Sequence, residues 1–144
     1  IDCMPSLGMI TINALACSDK VIIPVQGEYL AAKGMGHLLK TVNRVHKQIN
    51  PNLKIGGVLL TLVDKRTNLS KEVRNELNEN YSQYVKIYDT EIPKAINTAK
   101  SSATGKSIFE FDKHSTVANA YKNLAKEVLD NEKSRTKNET SKIR

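Results

Sequence analysis

Apolar positions follow two alternating periods along this chain. Short runs rich in Val, Ile and Leu recur at residues 21–25, 55–62, 85–88 and 107–111, and longer stretches between them repeat their apolar residues every three to four positions. The first pattern predicts strands and the second amphipathic helices, here at 7–17, 29–49, 70–81 and 116–131. Strands alternating with helices are the mark of βαβ units, so the expected class is α/β, a mostly parallel sheet flanked by helices. The 55–62 run is almost unbroken Ile, Val and Leu around Gly56-Gly57, as expected of a strand covered on both faces. Ile1-Asp2 reads as the stub of one more strand, with its acid at the carboxyl end. In open parallel sheets that end faces the ligand crevice.

Local signals sharpen the boundaries. In the second helix Leu30, Met35, Leu38, Leu39, Val42, Val45 and Ile49 share one face. Asn50-Pro51-Asn52 then stops it, because the residue before a proline is disfavoured in helical geometry. Leu69-Ser70 followed by Glu72-Val73 opens a helix with an acidic first turn. In the last helix Thr116, Ala120, Leu124 and Val128 lie four apart, and Ala118, Tyr121 and Ala125 widen that face. No repeat or interior linker divides the chain.

Composition narrows the classes. The 144 residues are 40% hydrophobic and 26% charged, ordinary for one globular domain. No run approaches the roughly 18 apolar residues of a membrane helix. The start carries no basic or apolar leader pattern, and its missing initiator methionine points to a piece of a longer polypeptide. Cys3 and Cys17 have neither C-x-x-C spacing nor histidine partners, which reads as reduced thiols. His37, His46 and His114 are scattered and receive no chemistry. The net charge of +7 and pI near 9.4 favour an anionic partner without separating nucleic acid from a membrane surface. Part of that charge sits in residues 131–144, with five basic side chains and almost no apolar ones, read as a frayed or disordered tail.

One apparent phosphate motif does not hold. Gly105-Lys106-Ser107 has the end of G-x-x-x-x-G-K-[ST], whose amides and lysine cradle phosphates. Position 100, where the opening glycine belongs, is Lys100.

Other motifs carry more weight. Asp2-Cys3-Met4-Pro5-Ser6-Leu7-Gly8 is similar to the D-C-P-P-S-L-G of the ParA/MinD family of partition ATPases, with Met4 in place of the first proline. Thr11-Ile12-Asn13-Ala14-Leu15 and Ile23-Pro24-Val25-Gln26-Gly27-Glu28-Tyr29 resemble its T-x-N-A-L and I-P-V-Q-x-E-Y. Gly57-Val58-Leu59-Leu60-Thr61, then Asp64-Lys65-Arg66-Thr67, resemble G-V-L-L-T-M-x-D-x-R-T. Ile92-Pro93-Lys94 and Gly105-Lys106 match parts of I-P-R-N…G-K-P, placing Gly105-Lys106 in a loop before the last strand. The likeness spans residues 1 to about 130.

This resemblance implies a P-loop NTPase-like fold of the deviant Walker A class, with its first strands lying upstream of Ile1. It implies ATP and magnesium as cofactors of the intact protein. Asp2 then corresponds to the magnesium-shell acid, with Ser6 and Gly8 in the switch II region; the alternative is an acid that caps the next helix. Thr61, Pro93 and Lys94 match nucleotide-binding positions beside the adenine. Arg66 matches a non-specific DNA contact, and Lys65, Lys71 and Arg74 would extend that patch, unless the helix is merely a solvated charged face. Departures gather after Pro93. Ala95 and Asn97 replace an asparagine and an arginine of I-P-R-N-V-R, residues 100–103 replace E-A-P-S, and Val117 replaces a glycine.

The deviant P-loop K-G-G-x-G-K-T and the switch I aspartate occur nowhere in these residues. Phosphoryl transfer rests on positioning and electrostatics, so the chain alone is expected to be inactive towards ATP. Two functions stay open. One is the C-terminal portion of a ParA-type ATPase for plasmid or chromosome partitioning, cytoplasmic and nucleoid-associated. Its implied partners are a second copy of itself in a dimer or higher oligomer, a ParB-like adaptor and non-specific DNA. The other is a truncated, non-enzymatic module that pairs with a full-length ATPase or a ParB-like partner. Membrane action is not favoured, because the tail lacks an apolar stripe. Without the upstream strands, exposed sheet edges are expected to recruit other chains.

Overall fold

The computed structural model describes residues 1–4, 8–27, 29–64 and 66–141, with side chains described except in 29–33 and 134–141. Ser6, Lys65 and the side chain of Leu30 fall outside the described residues. The element order is α1 (Met9–Ala16), β1 (Lys20–Gln26), α2 (Tyr29–Gln48), β2 (Lys54–Thr61), α3 (Asn68–Tyr81), α4 (Ile96–Ala103), α5 (Ile108–Asp112) and α6 (Thr116–Ser141). The class is α/β, a parallel sheet between helical layers.

β1 and β2 run parallel from Lys20↔Lys54 to Gln26↔Thr61. The register slips between Val21 and Ile22, leaving Gly56 unopposed, and Gly57 next to it has φ +154°. That backbone admits only glycine without strain. It also makes room for Tyr88, whose hydroxyl donates to the Gly56 carbonyl (3.3 Å).

β2 is central. Its burial pattern is continuous from Gly56 to Leu60. Val58 and Leu60 face a core built with Ile23, Val25, Met35, Val73 and Leu77, beneath α2 and α3. Leu59 faces the opposite layer, where Tyr88, Ile92, Ile108 and Val117 meet α5 and α6. A third cluster of Leu15, Val42, Val45 and Leu53 seats α1 on α2. Asn50 ties that corner by donating to the carbonyls of Leu15 (3.1 Å) and Ser18 (2.7 Å). Fully burying a Val or Leu side chain is worth about 1.5–3 kcal/mol, so β2 anchors both layers.

Several expectations need correction. Residues 85–88 form no named strand. Val58 makes an isolated parallel bridge to Ile87, with Val58 N donating to Lys86 O (2.8 Å) and Tyr88 N to Val58 O (2.9 Å). The ladder is interrupted where the amides of Asp89 and Thr90 turn to the Glu127 carboxylate, both at 3.0 Å, and resumes where Ile92 N donates to Leu60 O (2.9 Å). Residues 107–111 are helical, not a strand. Ser107 caps α5 by accepting from the Glu110 amide (3.1 Å), and the S-x-x-E spacing is the sequence signature of that start.

A helix that the sequence reading did not place, α4, precedes the Gly105-Lys106 loop. It ends in a Schellman motif, with Gly105 N donating to Ser102 O (3.1 Å), Lys106 N to Ser101 O (3.0 Å) and Gly105 at φ +66°. Gly105-Lys106 is a helix stop. Ile1-Asp2 makes no strand; residues 1–4 are irregular and exposed. Ile49, placed on the buried face of α2, lies beyond the helix end and is 54% exposed. In α6 the buried positions begin at Val117 and Ala118, while Thr116 is exposed. That helix continues to Ser141, past the expected end at Asn131.

β1 is covered on one side only. Ile23 and Val25 are buried, whereas Ile22, Pro24 and Gln26 are exposed, and Met9 and Ile10 of α1 are also exposed.

Candidate functional site

The carboxyl ends of the sheet converge through backbone bonds. Thr61, the last residue of β2, is half-buried, and its Oγ1 donates to the Val25 carbonyl at 3.4 Å. Gly27 N, just past β1, donates to Thr61 O (3.1 Å). Leu62 then turns the chain at φ 52°, exposed. A left-handed non-glycine residue costs about 1–2 kcal/mol, and such strain gathers where a loop must be aimed. Val63 N donates to Ile92 O (3.1 Å) and Lys94 N to Val63 O (3.0 Å), a parallel bridge between Val63 and Pro93. The Thr61 loop and the Pro93-Lys94 loop are thereby zipped side by side.

The Pro93 loop is held from both layers. From α3, the Arg74 guanidinium reaches Glu91 (2.9 Å), Asp89 (3.3 Å) and the Tyr88 carbonyl (3.4 Å). From α6, Glu127 takes the amides of Asp89 and Thr90 and pairs with Lys86 (3.2 Å). Burial alone would raise the Glu127 carboxyl, but these amides, the Thr90 hydroxyl and Lys86 together hold it below the usual carboxylate range.

Asp64 and Arg66 form a second clamp. Arg66 Nε and Nη2 donate to the two carboxylate oxygens at 3.0 and 2.8 Å, and its backbone N donates at 3.1 Å. The Arg66 side-chain and backbone bonds, with the charges of Arg66 and Lys94, lower the Asp64 pKa to about 2. Asp64 in turn raises Arg66 above its ordinary value. The Arg66 side chain remains 89% exposed, so its outer edge faces solvent in a fixed orientation.

These loops border a cleft of about 1150 Å³ walled by Val63, Pro93, Lys94, Asn97, Asn119 and Asn123. Asn97 bonds Asp112 (3.0 Å), fixing α4 against α5. Asp64, Arg66, Asp89 and Glu91 also line the cleft, so its wall mixes apolar side chains and amide groups with charges of both signs, an arrangement that can accommodate a polar-edged ligand. Among the described residues no group of three His, Cys, Asp or Glu side chains is placed to hold a metal.

Thr61, Asp64, Arg66, Pro93 and Lys94 are thus brought to one edge. Lys71 is exposed on α3, and Arg74 on the same helix turns to carboxylates. Asp2 is exposed, and the N-cap of α1 is Gly8, with no side chain capping that end. Sequence reasoning missed Glu127 and the wall asparagines. Glu127 was visible only as one acid on a charged helix face.

Residues 1–55 match the model of a family described as an AAA domain. The sporulation initiation inhibitor protein Soj of Bacillus subtilis is 47% identical over 131 residues, covering 91% of this chain and 51% of that protein. The chromosome partitioning protein ParA of Caulobacter vibrioides is 36% identical over 135 residues, covering 94% of this chain and 50% of ParA. The chain belongs to the ParA/MinD family. It spans about half the length of those relatives. The crystal structure of cobyrinic acid a,c-diamide synthase from Mycobacterium smegmatis superposes with a TM-score of 0.69 at 34% identity, over 87% of this chain and 43% of that one. The same synthase has been solved with a bound ATP analog and magnesium. Within this ParA/MinD chain, the motifs that carry the resemblance include both loops at the converging edge.

Proposed function

We propose that this chain is the C-terminal portion of a ParA-type ATPase for chromosome or plasmid partitioning. In this reading the Thr61 and Pro93-Lys94 loops border the adenine, and the start of α3 takes DNA phosphates. The observation that carries it is the Val63–Pro93 bridge, which sets the two motif loops side by side over one cleft at the carboxyl ends of the strands. That is where open α/β sheets bind ligands.

The cleft fits the base side of a nucleotide. Magnesium, which neutralises phosphate charge when bound, keeps several waters and uses one or two carboxylates plus substrate phosphates. Exposed Asp2 is compatible with that demand as a direct or water-mediated ligand. The phosphate cradle itself is not among these 144 residues, so magnesium-dependent phosphate release by the chain alone is expected at background. Photolabelling with 8-azido-ATP tests the base side. Label in residues 61–66 and 92–97 supports the reading; label confined elsewhere overturns it.

For DNA, Arg66 and Lys71 supply the phosphate contacts, while Arg74 is compensated by its acids and steadies the loop. Arg66→Ala is expected to weaken binding to duplexes of any sequence and to reduce the salt slope by about one. Fluorescence anisotropy across a salt series measures both, and an unchanged slope removes Arg66 from the interface. The cargo adaptor is a ParB-like protein, and the dimer is the DNA-bound form. The uncovered face of β1, with exposed Ile22, Met9 and Ile10, favours the second reading to one extent: it is suited to association with another polypeptide, a second copy included.

A further inference from the structure

At the opposite end of the sheet lies a separate groove of about 1000 Å³. Its origin is a mismatch in helix length. α2 and α3 follow successive parallel strands and run side by side back across the sheet, but α2 has 20 residues and α3 only 14. They approach at Gly36, where an added Cβ would sit 3.5 Å from the Tyr81 hydroxyl. Beyond that point α3 ends, and the last turns of α2, which carry α1 on their other side through Val42 and Val45, have no helix beside them on the α3 side among the described residues. The trough that remains is walled by Leu39, Val42, Tyr81, Tyr84 and Val85 and floored by Leu53 and Ile55.

Its shape and charge indicate what it accepts. From Leu39 to His46 along α2 is roughly 10 Å, two helical turns, the length served by anchors at i, i+3, i+4 and i+7. Tyr84 stands 74% exposed at the rim, an amphipathic ring of the kind enriched in interface hot spots. The charged or titratable side chains of the lining, tyrosines aside, are Lys40, His46 and Lys54, with no carboxylate among them. His46 donates from Nδ1 to the Leu53 carbonyl (3.0 Å), which fixes its ring against the floor. Arg44 and Lys47 add exposed cations on the same stretch of α2.

We propose that this groove docks an amphipathic helix of a partner protein whose apolar stripe is flanked by Asp and Glu. A third helix would lie against α2 and the 81–85 turn, as helix-in-groove complexes do, with its acids meeting the basic rim. Strand β2 separates this end from the Thr61 edge by roughly 20–25 Å, so the partner binds without covering the nucleotide-facing cleft.

The test uses a fluorescein-labelled synthetic helix about four turns long, with leucines at i, i+3, i+4 and i+7 and glutamates beside them. Saturable anisotropy with the 144-residue chain is expected, with amide shifts centred on Leu39, Lys40, Asn43 and Tyr84. Lys40→Glu and Tyr84→Ser, both surface changes whose folding circular dichroism verifies, should each weaken binding about tenfold or more. Four results overturn the proposal. They are no saturation up to millimolar peptide, equal binding of a peptide with lysines for the glutamates, shifts centred on Ile22 and Met9, and preference for phosphatidylglycerol vesicles over the peptide. A fifth is conversion of a dimer to a monomer by Tyr84→Ser in light scattering, which would make the groove a contact between copies.

Discussion

Gly57→Ala is expected to destabilise the fold by about 3 kcal/mol or more, from backbone strain and overpacking together. At φ +154° an L side chain is strained wherever it points. Here the new Cβ would also fall 2.7 Å from Tyr88 Cε2 and 3.0 Å from the Lys86 carbonyl oxygen. Neither neighbour can withdraw cheaply. Tyr88 is 2% exposed and bonded to Gly56, and the Lys86 carbonyl accepts from Val58 at 2.8 Å in the bridge that extends the sheet. Urea unfolding should show a lower midpoint with an unchanged m-value. Adding Tyr88→Ala should cost less in the Gly57→Ala background than in the wild type, because the two sites touch. Gly34→Ala is the control. Nothing lies within 4 Å of its added Cβ, and replacing a helical glycine should stabilise by about 0.5–1 kcal/mol. A Gly57→Ala protein within about 0.5 kcal/mol of wild type would show that the bulge is not the rigid point described.

What was legible in the sequence follows from where burial dominates. β1, β2 and the first three helices announce themselves because their apolar periods are unmixed and long, and β2 is buried on both faces. The 85–88 strand was half visible. Its apolar run does reach β2, but its continuation depends on which acceptor takes the amides of Asp89 and Thr90, and that acceptor is 37 or 38 residues away on α6. A tertiary competitor of this kind leaves no local trace. The 107–111 segment failed for a different reason. Ile108, Phe109 and Phe111 satisfy a strand pattern as well as a helix pattern over so short a run, and the capping box at Ser107 and Glu110 was the deciding signal. For the candidate site, Thr61, Pro93 and Lys94 were named from motifs, and strand ends bring them together. Arg74 was named as a cation without its acids, since Asp89 and Glu91 meet it only after the chain turns. The Asp64–Arg66 pair was nearest to hand, two residues apart, yet its forked geometry exists only in the turn after Leu62.

Glu127→Ala is expected to cost about 2–3 kcal/mol, the range for hydrogen bonds to a charged group whose partners are left unpaired. The change strands two backbone amides, those of Asp89 and Thr90, and removes the ion-pair partner of Lys86, which keeps its bond to Asn131 (2.6 Å). Arg74 would then hold the 88–91 turn from one face only. Hydrogen exchange should accelerate at Asp89 and Thr90 first and spread to Lys94, loosening the Val63–Pro93 bridge that aims the candidate site. The pH dependence separates charge from shape. The folded carboxyl titrates below its ordinary value of 4.5. Its contribution is therefore complete above that value and is lost as pH falls through the folded pKa. Glu127→Gln keeps the size and one acceptor but cannot titrate. The stability gap between wild type and Glu127→Gln should be constant near neutrality and narrow in acid, where protonation makes the wild-type side chain neutral as well. If the two stability curves instead stay parallel down to pH values well below the carboxyl range, the negative charge at 127 is not what fixes the turn.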